Sequence, residues 1–583
     1  MLEARNKGEG TFTDTFTDKN IDRRGFLKRA ALGAAGVGAA AALGACSSQS
    51  GSGTTNNSPA ASTGATNSAE QQWGFEIPPA PIAESTITAT EEADVVVVGA
   101  GMSGLVSAAS CLENGLKVIV VSASKAAVSR GGSNHGVDTK ITQAMGLPKY
   151  DPEPFYRYQY VANGGNFKPA FWYKFYNNSA EAMNWLVDIA AKVGIKCTIE
   201  SGPEYTVDDP MYTPGAAHAF YKEDSELEGG VGTGEPHIAA ELARFIVEDL
   251  GGTIVWQTKA EQLEKEGGKV VSVIAVDMTS GKYRRYKASK AVILATGDFS
   301  HDKDMMTRYC PEALPLLLEI DNDVNYDAGL QVGGLMPGDG HKMALWAGAA
   351  WQSAPNVIML GRPNLPADQP YTSHTGLMVD ANGQRFMNED VLGGIACATI
   401  MNLPDITAWC IWGKNRAADG GPWAKPNYAQ GVYFSSAEEF IKTWDDDAYG
   451  FGVKKNDSLE GLIADLGLPP STIDTVERFN QLCAKGHDDD FYKKPEKMIG
   501  INEPPYYGCS FTPMFLTSLG GIRANTNLQA LNTEDKPIEG LYVVGSVLGN
   551  FYSSVYTFAM EGINYGATCV TLPYVLGKEL AGK

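Results

Sequence analysis

The chain has 583 residues, with 47 Lys and Arg against 68 Asp and Glu, a net charge of −21 and 44% hydrophobic residues. That is enough for two domains and a tail, and the acidity excludes a nucleic-acid surface, leaving a well-solvated exterior. Nine cysteines form no CxxC or CxxCH and seven histidines form no HxxxH-type pair, so no c-type haem, iron–sulfur cluster, zinc ribbon or other metal is expected.

The first segment reads as targeting. Asp22-Arg23-Arg24-Gly25-Phe26-Leu27-Lys28 has the form of a twin-arginine export signal, and the Ala/Gly-rich stretch from Ala30 to Ala45 is too short and weakly apolar to span a bilayer. Leu43-Gly44-Ala45-Cys46 has the form of a lipoprotein cleavage box with Cys46 lipidated. The other reading is a plain export signal cut nearby, with Cys46 incidental. A Ser/Gly/Thr/Asn-rich tether, Ser47 to Asn67, suits a protein anchored at the outer face of the membrane. Export in the folded state suits one that acquires its cofactor in the cytoplasm.

At Val95–Ser122 the sequence VVVVGAGMSGLVSAASCLENGLKVIVVS predicts a buried parallel strand, a Gly99-x-Gly101-x-x-Gly104 turn, a small-residue helix and a second strand, Val118 to Val121. Gly99 permits the tight turn, Gly101 lets the backbone approach a pyrophosphate, and Gly104 lets helix and strand pack closely. Phosphates then sit on the helix N-terminus, where open N–H groups and the dipole favour negative charge. A dinucleotide is implied.

Further on, amphipathic helices are predicted over Ser179–Ile195 and Gly234–Leu250, and strands over Thr253–Trp256, Val270–Asp277 and Lys290–Thr296. A segment rich in aromatics, Pro and Asn follows, from about Gln352 to Tyr507. It holds a helix with a capping box at Asp457-Ser458-Leu459-Glu460, and another that Pro469-Pro470-Ser471 starts and that carries Thr475 to Cys483. A strand at Gly540–Ser546 and a closing helix complete the chain. There is no internal repeat.

Six stretches, in order, carry a family likeness: GAGMSG, AVILATGDF, GDGHKMALWAGA (Gly338–Ala349), GLMVDANGQRFMNE (Gly376–Glu389), TVERFN and GLYVVGS. Together they resemble the flavoprotein subunits of the fumarate reductase/succinate dehydrogenase type and their 3-ketosteroid dehydrogenase relatives, over about Asp94 to Leu580. The resemblance implies an α/β fold, a discontinuous Rossmann-like FAD-binding domain with an inserted α+β cap domain. It divides the chain into signal (1–46), tether (47–90), a first FAD-binding segment (91–350), cap (351–509) and a second FAD-binding segment (510–583). FAD contacts are implied at Gly99, Gly101, Met102, Ser103, Gly104, Ser122, Gly131, Gly132, Ser133, Asn134, Thr296, Gly297, Asp339 and Ser546. One dinucleotide site, with no second GxGxxG for a nicotinamide, implies that the flavin is filled by an external donor such as a membrane cytochrome or flavoprotein.

The likeness breaks down where the family grips substrate. After Asn388-Glu389, where a proton-donating arginine follows in fumarate reducers, the chain reads DVLGG and places Gly393 there. The family's His-His-Thr-Met-Gly-Gly becomes Leu516-Thr517-Ser518-Leu519-Gly520-Gly521, and the second substrate arginine, ten residues past the end of GLYxxGE, becomes Tyr556. A dianion in a dry pocket needs bidentate cations, so fumarate and succinate are not expected substrates. The ketosteroid dehydrogenases carry a tyrosine at this position, where it hydrogen-bonds the substrate carbonyl. Tyr556 is therefore read either as that catalytic phenol or as one of several aromatics packed round the flavin, with Tyr552, one turn earlier, as a candidate for the proton relay, Tyr371 and His374 as residues that line the pocket, and a structural role as the other reading of His374.

Ser122 and Ser546 stand where the family has acidic residues, and no histidine aligns with the covalent attachment point, His135 lying two places away, so noncovalent FAD is expected. Loss of the arginine clamp, with aromatics at Trp346, Trp351, Tyr371, Trp409, Trp412 and Tyr433, points to a neutral, flat or bulky substrate, the other reading being that many of these aromatics are ordinary core. The expected activity is reduction of an activated C=C bond in a small unsaturated molecule, an enone or enoate. The alternatives are a ketosteroid-type dehydrogenase running oxidatively, or a non-catalytic electron-transfer flavoprotein.

Overall fold

The computed structural model describes residues 72–583, apart from 130–132, 148, 167, 200–215, 223–233, 318–319, 328–334, 362–375, 420–435, 449 and 451. The export signal, Cys46, the tether to Asn67, Gly131, Gly132, Tyr371, His374 and Tyr433 lie outside the described residues.

The dinucleotide unit forms as the sequence predicts. It comprises β1 (Ile87–Val98), α1 (Met102–Glu113) and β2 (Val118–Val121), joined by β3 (Thr253–Val255), β4 (Tyr283–Leu294) and β5 (Pro537–Val543) in a parallel sheet of order β5-β4-β1-β2-β3. Val95 faces Val118 on one side and Ala291 on the other. The Val95–Val98 run is buried because helices cover both faces of such a sheet, which is why it reads as continuous rather than alternating. The sheet is mixed: Gln529–Leu531 adds antiparallel to β5, and a hairpin, Thr258–Glu266 and Lys269–Asp277, adds antiparallel to β4.

β4 begins seven residues before the expected Lys290. Its first half, YRRYKAS, pairs with Lys269–Asp277 and keeps most of its charged side chains at least partly exposed, which hides it from a search for apolar runs. The helix α1 packs against the C-terminal helix Leu572–Leu580 closely enough that a Cβ at Gly577 would lie 2.4 Å from Ser110 Oγ, whose hydroxyl donates to the Tyr574 carbonyl at 2.7 Å.

The predicted helix at Ser179 starts earlier, at Pro169, because Phe171, Trp172 and Phe175 extend its buried face (Pro169–Lys192). The helix from Glu235 changes after Arg244 to a π turn, Phe245–Asp249. The helix Leu459–Asp465 is capped by Ser458, whose hydroxyl accepts the Gly461 N–H at 3.1 Å, and not by Asp457.

Between the two halves of the central sheet lies a four-stranded antiparallel sheet of order Leu377–Val379, Ala408–Gly413, Tyr506–Phe511, Lys454–Asn456. The strand Tyr506–Phe511 runs past residue 509, the expected end of the cap. Trp412, Trp444, Tyr507 and Phe440 fill one face, and Leu377, Ile411, Leu462 and Phe479 the other. The NGQRFMNE motif is fixed here by a buried ion network. Arg385 bridges Glu389 (2.7 Å) and Asp488 (2.8 Å), Lys493 reaches Glu389 and the Gly376 carbonyl, and Lys497 pairs with Asp390 at 2.7 Å. The cations beside Glu389 hold its carboxyl below the usual range despite burial.

Candidate active site

Four motifs far apart in sequence meet at the C-terminal ends of β1 and β4. Gly99 sits at φ +109°, which L side chains avoid, and a Cβ there would lie 2.3 Å from the Ala295 carbonyl oxygen. A Cβ at Gly104 would lie 2.0 Å from Gly99 O, so this glycine makes the close helix–strand packing. Gly340 donates its N–H to Thr296 Oγ1 at 3.1 Å, and a Cβ at Gly545 would meet Ser103 Oγ at 2.6 Å.

Gly101, the N-cap of α1, supplies no side-chain cap, so the first-turn amides of Met102 and Ser103 stay available to a phosphate. This glycine cradle over an uncapped helix N-terminus fits the pyrophosphate of FAD. Asp339 opens the helix Asp339–Trp346, with its carboxylate accepting the Tyr326 hydroxyl at 3.0 Å and paired with Lys259 at 3.8 Å. Ser122 is buried. Its hydroxyl accepts the Ala100 N–H at 3.4 Å and shares a 2.8 Å hydrogen bond with Ser124, so it braces the glycine turn. Ser546 lies in the turn Gly545–Val547, its carbonyl accepting the Gly520 N–H.

The segment carrying Ser133 and Asn134 lies against the start of the π-helix Asn564–Thr571, which runs into the C-terminal helix Leu572–Leu580. His135 donates its N–H to the Gly562 carbonyl at 3.0 Å, and Cβ atoms at Gly562 and Gly566 would strike Ser133 and His135 backbone. The His135 ring is fully buried, bonded at Nδ1 to the Glu561 carbonyl and at Nε2 to the Tyr150 hydroxyl. Burial lowers its pKa to about 4, so it is a neutral structural histidine. Asn134 Nδ2 donates to Glu235 Oε1 at 3.0 Å. Glu235 is wholly buried at the start of its helix, and burial pushes its carboxyl up to about 8.

From Gly549 to Gly562 the chain crosses the site in an irregular loop, with Asn550, Ser554 and Phe558 at φ between +61° and +64°. Tyr556, 4% exposed, accepts the Asn564 N–H on its hydroxyl at 3.3 Å. Tyr552 donates to Asn564 Oδ1 at 3.4 Å, with the two rings 5.4 Å apart. Burial raises Tyr552 well above the ordinary phenol range, so it stays protonated. Tyr556 accepts its amide hydrogen from Asn564, the first residue of the π-helix Asn564–Thr571.

The cap reaches the same place. Its helix Gly393–Ile400 abuts the loop so closely that a Cβ at Gly394 would lie 2.0 Å from the Tyr556 carbonyl oxygen. Positions 393 and 556, where the sequence departs from the arginine pattern, are therefore neighbours. The third departure lies elsewhere: Thr517 Oγ1 donates to Asp298 at 2.7 Å, and Ser518 Oγ accepts the Phe299 N–H, bracing the TGDF turn.

A small pocket with room for about one water molecule lies beside Tyr552 and Tyr556, walled by Phe551, Phe558, Gln159 and Asn163, and no Lys, Arg, His, Asp or Glu lines it among the described residues. The described cap aromatics do not line it. Trp412 stacks on Tyr507 in the cap core, Trp351 stacks on Tyr309, and Trp346 donates to the Phe75 carbonyl. They are core because both faces of the cap sheet and the flank of the FAD domain need bulky filling. Gln159, Asn163 and Asn564 are invisible to sequence reasoning: they are isolated amides, and for Gln159 and Asn163 the loop that they meet is some 390 residues away.

A family model described as an FAD binding domain matches residues 94–562. The chain is 23% identical over 520 residues to a vinyl phenol reductase of Lactiplantibacillus plantarum, covering 85% of this chain and 96% of that one. It is 24% identical over 501 residues to a cytochrome-type fumarate reductase of Shewanella frigidimarina, covering 84% and 77%. In fold it is similar to the crystal structure of 3-ketosteroid-Δ4-(5α)-dehydrogenase from Rhodococcus jostii RHA1, with a TM-score of 0.62, 20% identity, and coverage of 86% of this chain and 99% of that one. With that match spanning most of the chain and the glycine cradle in place, the chain belongs to the FAD-binding-domain family and is an FAD-dependent oxidoreductase.

Proposed function

We propose that this protein reduces a C=C bond conjugated to a carbonyl, in an enone or enoate other than fumarate, in the pocket beside Tyr556, with electrons from a separate donor such as a membrane cytochrome or flavoprotein. The observation that carries the reading is the Tyr556 phenol at the pocket, its oxygen held by the Asn564 N–H, with no cationic side chain among the described lining residues. FAD, noncovalently bound, supplies hydride transfer to carbon. The chain's own role is to bind and polarise. Tyr556 accepts the helix N–H and offers its own proton to the substrate oxygen, stabilising the enolate-like charge that appears as the β carbon is reduced. Tyr552, kept protonated, fixes Asn564 by its hydrogen bond to Oδ1. The named activities of the relatives, reduction of a vinyl phenol and of fumarate, both fall on C=C bonds and support the reaction class.

The pocket lining suits a neutral or singly charged substrate. Among the described lining residues a dicarboxylate finds no guanidinium or imidazole to replace its hydration, and burial of unpaired charge costs on the order of several kcal/mol per ion. The same reading puts the enzyme outside the cytoplasmic membrane, and its support is the twin-arginine segment and Cys46.

The test is anaerobic reduction of the purified holoprotein, followed by a panel of enones, enoates, vinyl phenols and fumarate. Reoxidation of the flavin by a conjugated carbonyl and not by fumarate is expected. Reoxidation by no member refutes the reductase reading, and faster flavin reduction by saturated ketones than reoxidation by enones shows the reverse direction.

A further inference from the structure

The Tyr556 loop has no regular hydrogen-bond ladder of its own, yet its catalytic reading requires a fixed phenol. Two amide side chains of one helix, Pro152–Ala162 with its C-cap Asn163, supply the missing restraint. Asn163 Oδ1 accepts the Ser553 N–H at 3.1 Å, and Gln159 Nε2 donates to Thr557 Oγ1 at 2.8 Å, so the two contacts bracket Tyr556. The amides are locked to each other, since Asn163 Nδ2 donates to the Gln159 carbonyl at 2.8 Å and to its Oε1 at 3.4 Å. That mutual bond fixes which end of each amide donates. Gln159, Asn163, Ser553 and Thr557 are all at least nine-tenths buried, so water does not compete for these bonds. Thr557 Oγ1 also accepts the Ala559 N–H at 3.2 Å, passing the restraint to the next turn of the loop.

We propose that Gln159 and Asn163 are positioning residues that clamp the loop at Ser553 and Thr557 and thereby hold the Tyr556 oxygen at the Asn564 amide, facing the pocket. The proposal rests on the reading of Tyr556 as the polarising phenol. The two amides touch the loop's backbone and a hydroxyl, and act on the reaction through Tyr556. A misplacement of about 1 Å of such a group costs about a hundredfold in rate, so the clamp controls the rate rather than the fold.

The test has a substrate-free arm and a kinetic arm, both on holoenzyme. Hydrogen–deuterium exchange of the peptide spanning Phe551–Ile563 is expected to quicken about tenfold or more in Asn163→Leu and Gln159→Leu, while Glu153→Gln, on the exposed side of the same helix, stays near wild type. Unchanged exchange in both Leu variants overturns the clamp whatever the substrate. In the kinetic arm, the fastest acceptor of the panel reoxidises the reduced flavin. Asn163→Leu is expected to lower the limiting rate about tenfold or more, and to have almost no effect on that rate in a Tyr556→Phe background. Equal losses in both backgrounds overturn the clamp alone. A Tyr556→Phe enzyme as fast as wild type overturns the reading of Tyr556, and the clamp's purpose with it.

Discussion

Replacing Glu235 by glutamine should change the sign of its effect on stability between pH 5 and pH 8. The carboxyl is wholly buried, accepts a hydrogen bond from Asn134 Nδ2 at Oε1, and has no side-chain partner at Oε2 among the described residues. Burial raises its pKa from 4.5 to about 8, with the hydrogen bonds from its own backbone and Asn134 opposing only some of that. The folded protein therefore keeps the proton through a range in which the unfolded chain releases it. Stability is full below the unfolded value and is lost as pH rises toward the folded one. At about 1.4 kcal/mol per pH unit, the window from 4.5 to 8 accumulates a loss of about 5 kcal/mol. Glutamine keeps the acceptor for Asn134 and carries no proton to lose, but it puts an NH₂ where Oε2 has no partner, at about 1–3 kcal/mol. The variant should then be less stable than wild type at pH 5 and more stable at pH 8, by about 2–4 kcal/mol. His135 and His218, whose burial lowers both to about 4, add the opposite slope as pH falls from 6.5, and they cancel in the comparison. Thermal melts of both proteins with excess FAD, at pH 5, 6, 7 and 8, measure the difference. A difference in melting temperature that is constant across that range refutes the argument.

Other consequences are as direct. Tyr556→Phe removes the polarising hydroxyl and should lower the limiting rate of flavin reoxidation by roughly 10²–10³, about 3–4 kcal/mol, while leaving FAD binding unchanged by visible absorbance. Gly394→Ala puts a methyl 2.0 Å from the Tyr556 carbonyl, so the cap helix or the loop must shift. Its far-UV circular dichroism should match wild type while turnover falls at least about tenfold. Arg385→Met leaves Glu389 and Asp488 buried without their shared cation and should cost about 3–5 kcal/mol in urea unfolding, whereas a surface pair such as Arg157–Glu153 should cost under about 1 kcal/mol. Changing Arg23 and Arg24 together to lysine should leave the protein in the cytoplasmic fraction of expressing cells, and wild-type-like export would remove the twin-arginine assignment.

The features legible in the sequence are those whose physics is local. The glycine turn declares itself because a strand, a φ-positive residue and a helix start must follow one another within a few residues. Residue 98 ends β1 and Gly99 turns, as the spacing requires. Tyr556 is found by counting from Ser546, and it does stand at the pocket. Contacts that only the tertiary fold creates are not legible. Nothing in PEPFYRYQYVAN marks Gln159 and Asn163 as the clamp on a distant loop, and a glutamate at the start of a helix gives no sign that the small sheet of Asn134–His135, Ala217–Lys222 and Ile195–Ile199 will bury it. The cap tryptophans mislead for a related reason. Aromatic richness does not say whether a ring faces a pocket or fills a sheet face, and Trp412 fills the face against Trp444 and Tyr507.

The two departures from the arginine pattern, separate losses in the sequence, become one change in the structure. The glycine pair of DVLGG lets the head of the helix Gly393–Ile400 lie directly against the loop, where a Cβ at Gly394 would be 2.0 Å from the Tyr556 carbonyl oxygen, a contact with no room for even a methyl group. That contact holds the Tyr556 backbone from the cap side, as Asn163 and Gln159 hold its neighbours from the helix side and Asn564 holds its oxygen. On the proposed reading, a phenol fixed by the protein itself takes the place of an ionic clamp, a substrate with at most one carboxylate is activated through a single oxygen, and Gly394 and Tyr556 act as one specificity-determining unit.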